Sequence, residues 1–240
     1  MYHSGVSAEL PKAILFDLDD TILAWEAVSK QVWQEVCARF APLLGRDDEE
    51  LYAVISEMSK WYQSDGERNQ YMRLHLIEYR REVVGMAFDK LGVIAPELAV
   101  MLADSYSKRR VEAMYVMPGA MDTLRRLKNG DLRLGLITNG ASEPQREKIQ
   151  RFGLGHLFDC ILIEEEFGAG KPDERIFRHA LEKLNVAPSN AWMVGDNLER
   201  DIGGAQAVGI SGIWVDWRGG GLPNPPPVKP DRIIRKIAEL

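Results

Sequence analysis

A doubly wound parallel α/β sheet, Rossmann-like in layout, with an inserted all-helical domain is the fold class predicted for this 240-residue chain. Three observations predict it. Short apolar runs without alternation recur along the chain, as a strand covered on both faces requires. Amphipathic stretches of helical period separate these runs, and strand alternating with helix implies right-handed crossovers in one sheet. The alternation stops from 25 to 113, where only helical periodicity is found. The expected division is therefore an α/β core from 1 to 21 and 114 to 240, with a helical cap domain from 22 to 113.

Taken in order, the first strand is Ala13 to Phe16, inside "ILFDLDDTILA". Within the insertion, Trp33, Val36, Cys37 and Phe40 fit one apolar stripe, and Leu51, Val54, Ile55 and Met58 fit a second. Helices are also expected over about 67 to 91 and from Pro96, a good first-turn residue, to about 113. The remaining strands are "LRLGLIT" (132 to 138), "CILIEE" (160 to 165), "AWMVGD" (191 to 196) and "SGIWVD" (211 to 216). The Gly- and Pro-rich "RGGGLPNPPPVKP" near the C-terminus reads as an extended surface loop.

Composition narrows the function classes. With 45% hydrophobic and 28% charged residues, the chain has ample material for a core. Its 30 Lys and Arg against 36 Asp and Glu leave a net charge of -6 and no basic footprint for a nucleic-acid backbone. An anionic ligand must then be held by a local cluster of donors. Cys37 and Cys160 lie outside any CxxC spacing and suggest reduced core thiols. The four histidines show no metal-ligand spacing. The opening "MYHSGVSAELPK" lacks the pattern of a signal peptide, and no apolar run approaches the roughly 20 residues that span a bilayer. The expected address is the cytoplasm, with no membrane partner.

The strand ends carry the chemistry. The first ends in Asp17, Asp19 and Asp20, followed by Thr21; the second in Thr138 and Asn139, followed by Gly140; the fourth leads into "GDNLERD", with Asp196 and Asp201. Each feature alone fits a turn or a helix cap. A loop lysine, Lys171, precedes Pro172 in "GAGKPDERIF", where the GxxxxGK[ST] pattern of a nucleotide-binding loop fails. Open α/β sheets bind ligands at the carboxyl ends of their strands, so these groups should gather there. Crowded carboxylates repel one another unless a divalent cation sits among them, and hard oxygen ligands suit Mg²⁺. Thr138, the amides of Asn139 and Gly140, and Lys171 would then cradle a phosphoryl group.

"DLDDT" (17 to 21), "TNG" (138 to 140), "KP" (171 to 172) and "GDNLERD" (195 to 201), in this order, resemble the four motifs of the haloacid dehalogenase superfamily, specifically its phosphatases with a helical cap inserted after the first motif. The resemblance implies that Asp17 is the nucleophile, forming an aspartyl-phosphate, and that Asp19 is general acid and then general base. It implies Mg²⁺ held by Asp17, the main-chain carbonyl of Asp19, and Asp196, with Asp201 a direct ligand or a partner through water. Thr138, Asn139 and Lys171 are implied to bind the phosphoryl oxygens of a small phosphorylated metabolite. Asp20 is expected to be a solvated neighbour, and Thr21 to fix the turn that aims Asp19.

A dehalogenase would need only the first acid, because a halide leaves without a proton, so Asp19 argues against it. A phosphomutase of the same fold and a non-catalytic binder are the alternatives. In the cap, Trp61, Tyr62, Arg68, Tyr71 and Arg73 could meet a substrate, but packing of Trp61 between helices with solvated arginines is the expectation. Trp25 is expected in the core or at the hinge.

Overall fold

The computed structural model describes residues 11–130 and 132–240. The opening decapeptide, with its expected lack of a signal sequence, lies outside the described residues. By its contacts the chain forms two compact units. One takes the described residues up to Ile22 with Met117–Thr138 and Ser142–Leu240, the other Leu23–Val116 with Asn139–Ala141.

In the first unit six strands are found among the described residues: β1 (Ala13–Phe16), β2 (Arg133–Thr138), β3 (Cys160–Ile163), β4 (Ala191–Gly195), β5 (Ser211–Val215) and β6 (Arg232–Ile234). Every pairing is parallel and the order is β3-β2-β1-β4-β5-β6. β1 is central, with Phe16 level with Leu136 of β2 and Val194 of β4, and all four of its residues are fully buried. This is why its sequence is apolar without alternation. The order reverses at β1, so its carboxyl end, together with those of β2 and β4, marks the crevice of a doubly wound sheet.

Two expected details differ. The third strand stops at Ile163, because Glu164 begins a short helix to Phe167. The sixth strand was not expected: it is three residues long and only Ile234 is buried, so it carries no apolar run.

Helices Glu174–Leu184 and Gly204–Ala207 cover one face of the sheet. Ile176, Phe177, Ala180 and Leu184 from the first and Ala205 from the second meet Leu15, Ile137 and Met193. Gly204 permits this approach, since a Cβ there would lie 2.7 Å from the Phe177 ring and 2.9 Å from Pro172 Cα. Between 217 and 229 the Gly- and Pro-rich segment is mostly exposed, as expected of a surface loop.

The second unit is helical: Glu26–Leu44, Asp48–Gln63, Gly66–Leu74, Leu76–Lys90 and Pro96–Ala113, numbered α1 to α5. α1 packs on α2 and α5, and α4 packs on α2 and α5. Their interior holds Val32, Val36, Cys37, Phe40, Leu51, Ile55, Val83, Val84, Phe88 and Leu102. Local chemistry sets the ends. Gly45, at φ 60°, closes α1. Asp47 and Asp65 cap α2 and α3 by accepting from the amides of Glu50 and Arg68 at 2.9 and 3.0 Å. Pro96 starts α5. The expected helical stretch from 67 to 91 is broken at His75, where neither Gly nor Pro announces it. Chain entry and exit lie side by side, with Leu23 bridged antiparallel to Val116 and the amide of Ala24 donating to Tyr115. Among the described residues no helix is long and apolar enough to cross a membrane.

Candidate active site

The carboxyl end of β1 delivers Asp17 into a buried cluster. Its carboxylate accepts a 2.5 Å hydrogen bond from Lys171 Nζ, which also pairs with Asp201 at 2.7 Å. Lys171 is 3% exposed and Asp201 1%. Asp201 is held in turn by the amide of Asn197, 2.9 Å from its other oxygen. Gly195, the last residue of β4, makes room: a Cβ there would lie 2.6 Å from Asp201 Cβ and closer still to its carboxylate. Asp196 follows directly, its side chain accepting from the indole of Trp217 at 3.3 Å and its carbonyl from that of Trp214 at 2.7 Å.

Asp17, Asp196 and Asp201 thus converge, with one carboxylate oxygen of each within 4.8 Å of the others. Burial pushes the Asp17 carboxyl up to about 7 despite the attraction of Lys171, and Asp201 and Asp19 add to the rise. Burial, then Asp17 and Asp201, hold Asp196 well above the usual carboxylate range. On Lys171 burial acts downward, but the two aspartates outweigh it and keep the ammonium charged. Three acids thus crowd one lysine, and an all-oxygen donor set of this spacing fits Mg²⁺.

Asp19 is placed apart from that trio. Lys148 Nζ donates to both of its oxygens at 2.9 and 2.8 Å, and Gln145 donates at 3.2 Å. Gln145 also bonds Thr138 Oγ1 at the end of β2. Lys148 and Gln145 were missed in the sequence. Both lie on the helix Ser142–Arg151, three residues apart and so on one face. With Ile149 they are its buried residues. A Gln and a Lys at stripe positions where apolar residues belong were the available signal.

Asn139 directly follows Thr138, is half-buried, and falls with Gly140 and Ala141 in the helical unit. Asp20 corrects the expectation of a solvated residue: it is 5% exposed and sits at φ 61°, a left-handed turn that aspartate tolerates. Thr21 is buried, and its hydroxyl has no hydrogen-bond partner among the described residues, so it does not fix the turn by that bond. In the helical unit Trp61 is half-exposed instead of packed, with the Arg68 guanidinium 4.0 Å over its ring. Arg68 also donates to the carbonyls of Tyr62 and Trp61, and Arg73 to Asn69.

The haloacid dehalogenase-like hydrolase family matches residues 11–209. The phosphoserine phosphatase of Thermus thermophilus is 33% identical over 249 residues, covering 95% of this chain and 97% of that protein. The glyceraldehyde 3-phosphate phosphatase of Pyrococcus furiosus is 34% identical, covering 86% and 81%. The crystal structure of a HAD phosphatase from Thermococcus onnurineus superposes with a TM-score of 0.62 at 26% identity, covering 95% of each chain. The match takes in β1 to β4 with the acids that follow β1 and β4, and this chain belongs to the haloacid dehalogenase-like hydrolases.

Proposed function

We propose that the chain is a Mg²⁺-dependent phosphatase that hydrolyses the phosphomonoester of a small metabolite through an aspartyl-phosphate on Asp17. The observation that carries this reading is the second acid: Asp19 is gripped by Lys148 and Gln145 beside the Asp17 cluster. A leaving alcohol needs a proton, so a positioned second carboxylate fits ester hydrolysis and not halide displacement.

Asp17, Asp196 and Asp201, with the main-chain carbonyl of Asp19, would hold Mg²⁺; when bound it neutralises charge on the phosphoryl oxygens. The chain's own residues do the rest. The Asp17 carboxylate attacks phosphorus while Asp19, protonated, gives its proton to the departing alcohol oxygen. Asp19, now a carboxylate, takes a proton from water as that water attacks phosphorus; the bond to Asp17 breaks and phosphate leaves. The ion pair of Asp19 with Lys148 is the form suited to this second half. Lys171 and Thr138 would donate to the phosphoryl oxygens, and Asn139 would join them. The helical unit would serve as the cap that selects the substrate. Phosphoserine and glyceraldehyde 3-phosphate, named for relatives, join sugar phosphates, nucleoside monophosphates and phosphoglycolate as candidates. Two buried free thiols, Cys37 and Cys160, fit a reducing cytoplasm.

The test is phosphate release from a panel of these compounds, with p-nitrophenyl phosphate as a generic reporter, in Mg²⁺ and in EDTA. Turnover that disappears in EDTA is expected. Turnover indifferent to Mg²⁺, or none on any compound from folded protein, would remove the proposal.

A further inference from the structure

Arg80 of α4 is 4% exposed, and its Nε and Nη2 atoms have no hydrogen-bond partner among the described residues. These two nitrogens form one edge of the guanidinium, with parallel donors that match the two oxygens of a carboxylate. The neighbouring residue shows what that edge does: Arg81 Nε and Nη2 donate to the two oxygens of Asp104 at 2.8 and 2.7 Å. Arg146 uses the same edge on Glu166. In Arg80 the edge is buried and unused, and leaving charged donors unmade costs far more than an apolar side chain in the same place.

A second buried guanidinium stands close by. Arg110 of α5 donates to the Trp25 carbonyl at 3.3 Å and to Glu26 at 2.7 Å. Two aromatic rings lie near both arginines. Arg80 lies 5.6 Å from the Trp25 ring centroid and 5.2 Å from that of Tyr106; Arg110 lies 3.9 and 5.7 Å from the same rings. Ser29 holds Tyr106 by a 2.8 Å hydrogen bond between hydroxyls, and Trp33 stacks on it at 3.6 Å. The Tyr106 wall is therefore fixed. Burial, then the like charge of Arg110, brings Arg80 down to about 10, which still leaves it charged at neutral pH. Glu26 meets Arg110, and the Nε and Nη2 edge of Arg80 is left without a hydrogen-bond partner among the described residues.

We propose that Arg80, with Arg110 beside it and Trp25 and Tyr106 as walls, forms a binding site in the helical unit for one carboxylate. The carboxylate belongs either to the compound being hydrolysed or to a separate small acid. The first source rests on the phosphatase reading, and the second does not.

The test pairs two phosphomonoesters that differ in one group, 3-phosphoglycerate and glycerol 3-phosphate, with glycerate as the probe that lacks a phosphoryl group. Arg80→Met should lower kcat/KM for 3-phosphoglycerate on the order of 10- to 100-fold more than for glycerol 3-phosphate. Binding is read separately by fluorine NMR of protein carrying 5-fluorotryptophan, with the Trp25 signal assigned through Trp25→Phe. Glycerate should shift that signal in the wild type and not in Arg80→Met. Arg80→Lys, which keeps the charge and loses the paired donors, should fall between the two. Without ligand, Arg80→Met should melt at or above the wild-type temperature, which also reports that it folds. A glycerate shift lost in Arg80→Met with no change in the kinetic ratio would identify a separate acid. No shift in the wild type, together with an unchanged ratio, would overturn the site. Failure of both esters to turn over would leave the phosphatase reading to the wider panel, and the NMR arm would decide this site: a glycerate shift lost in Arg80→Met supports it, and no shift in the wild type overturns it.

Discussion

In the α/β unit the two buried ammonium groups each face carboxylates: Lys171 meets Asp17 and Asp201, and Lys148 meets Asp19. In the helical unit the buried Arg80 leaves its paired donors unused. Buried charge is tolerable only with a partner, so one unit carries its partners in its own sequence and the other leaves a place for one. The first arrangement suits chemistry common to every substrate. The second suits selection among them.

The largest test of that contrast removes the nucleophile. Asp17→Asn should lower phosphate release roughly 10³-fold or more, measured by steady-state turnover, because the amide that replaces the proposed nucleophile cannot attack phosphorus. A variant with near-normal turnover would break the division of labour between the units. Next comes the packing that holds the helices in place. Leu102, fully buried on α5, should cost about 2–5 kcal/mol when changed to Ala, read from denaturant midpoints. Lys148→Met should lower kcat by up to about 10² with KM little changed, since Lys148 acts by holding Asp19 in place. A change in KM alone would move Lys148 out of that role.

The smallest effect is on the surface of the α/β unit. Hydrogen bonds from Arg146 and Ser142 hold the Glu166 carboxyl down to about 2. A depressed folded value adds stability above the ordinary carboxylate range and loses it as pH falls through that range toward 2. Both partners are solvent-accessible, so screening limits the gain. Glu166→Gln should cost less than about 1 kcal/mol at pH 7, with the difference vanishing near pH 2, as thermal melts across pH would show.

Much of the α/β unit was legible because its central strands are covered on both faces and announce themselves as apolar runs. The acids of β1 and β4 were legible because they stand at the ends of those runs. Asp20 was misjudged because a left-handed turn, which no alternation rule foretells, buries it. Trp61 was misjudged because aromatic residues usually fill cores, whereas here Arg68 covers its exposed ring. Lys148, Gln145 and Arg80 passed unnoticed because a Lys, Gln or Arg on a helix is ordinarily a solvated residue.

By itself the sequence determined the fold class and which acidic, hydroxyl and amide residues stand at the ends of the strands, since burial and periodicity are written locally. Only the tertiary structure decided which charges meet. The strand order sets β1 between β2 and β4, and so brings Asp17 to Lys171, 154 residues away, and Asp19 to Lys148, 129 residues away. Pairings of that span depend on how strands are arranged in space, and no local pattern records it.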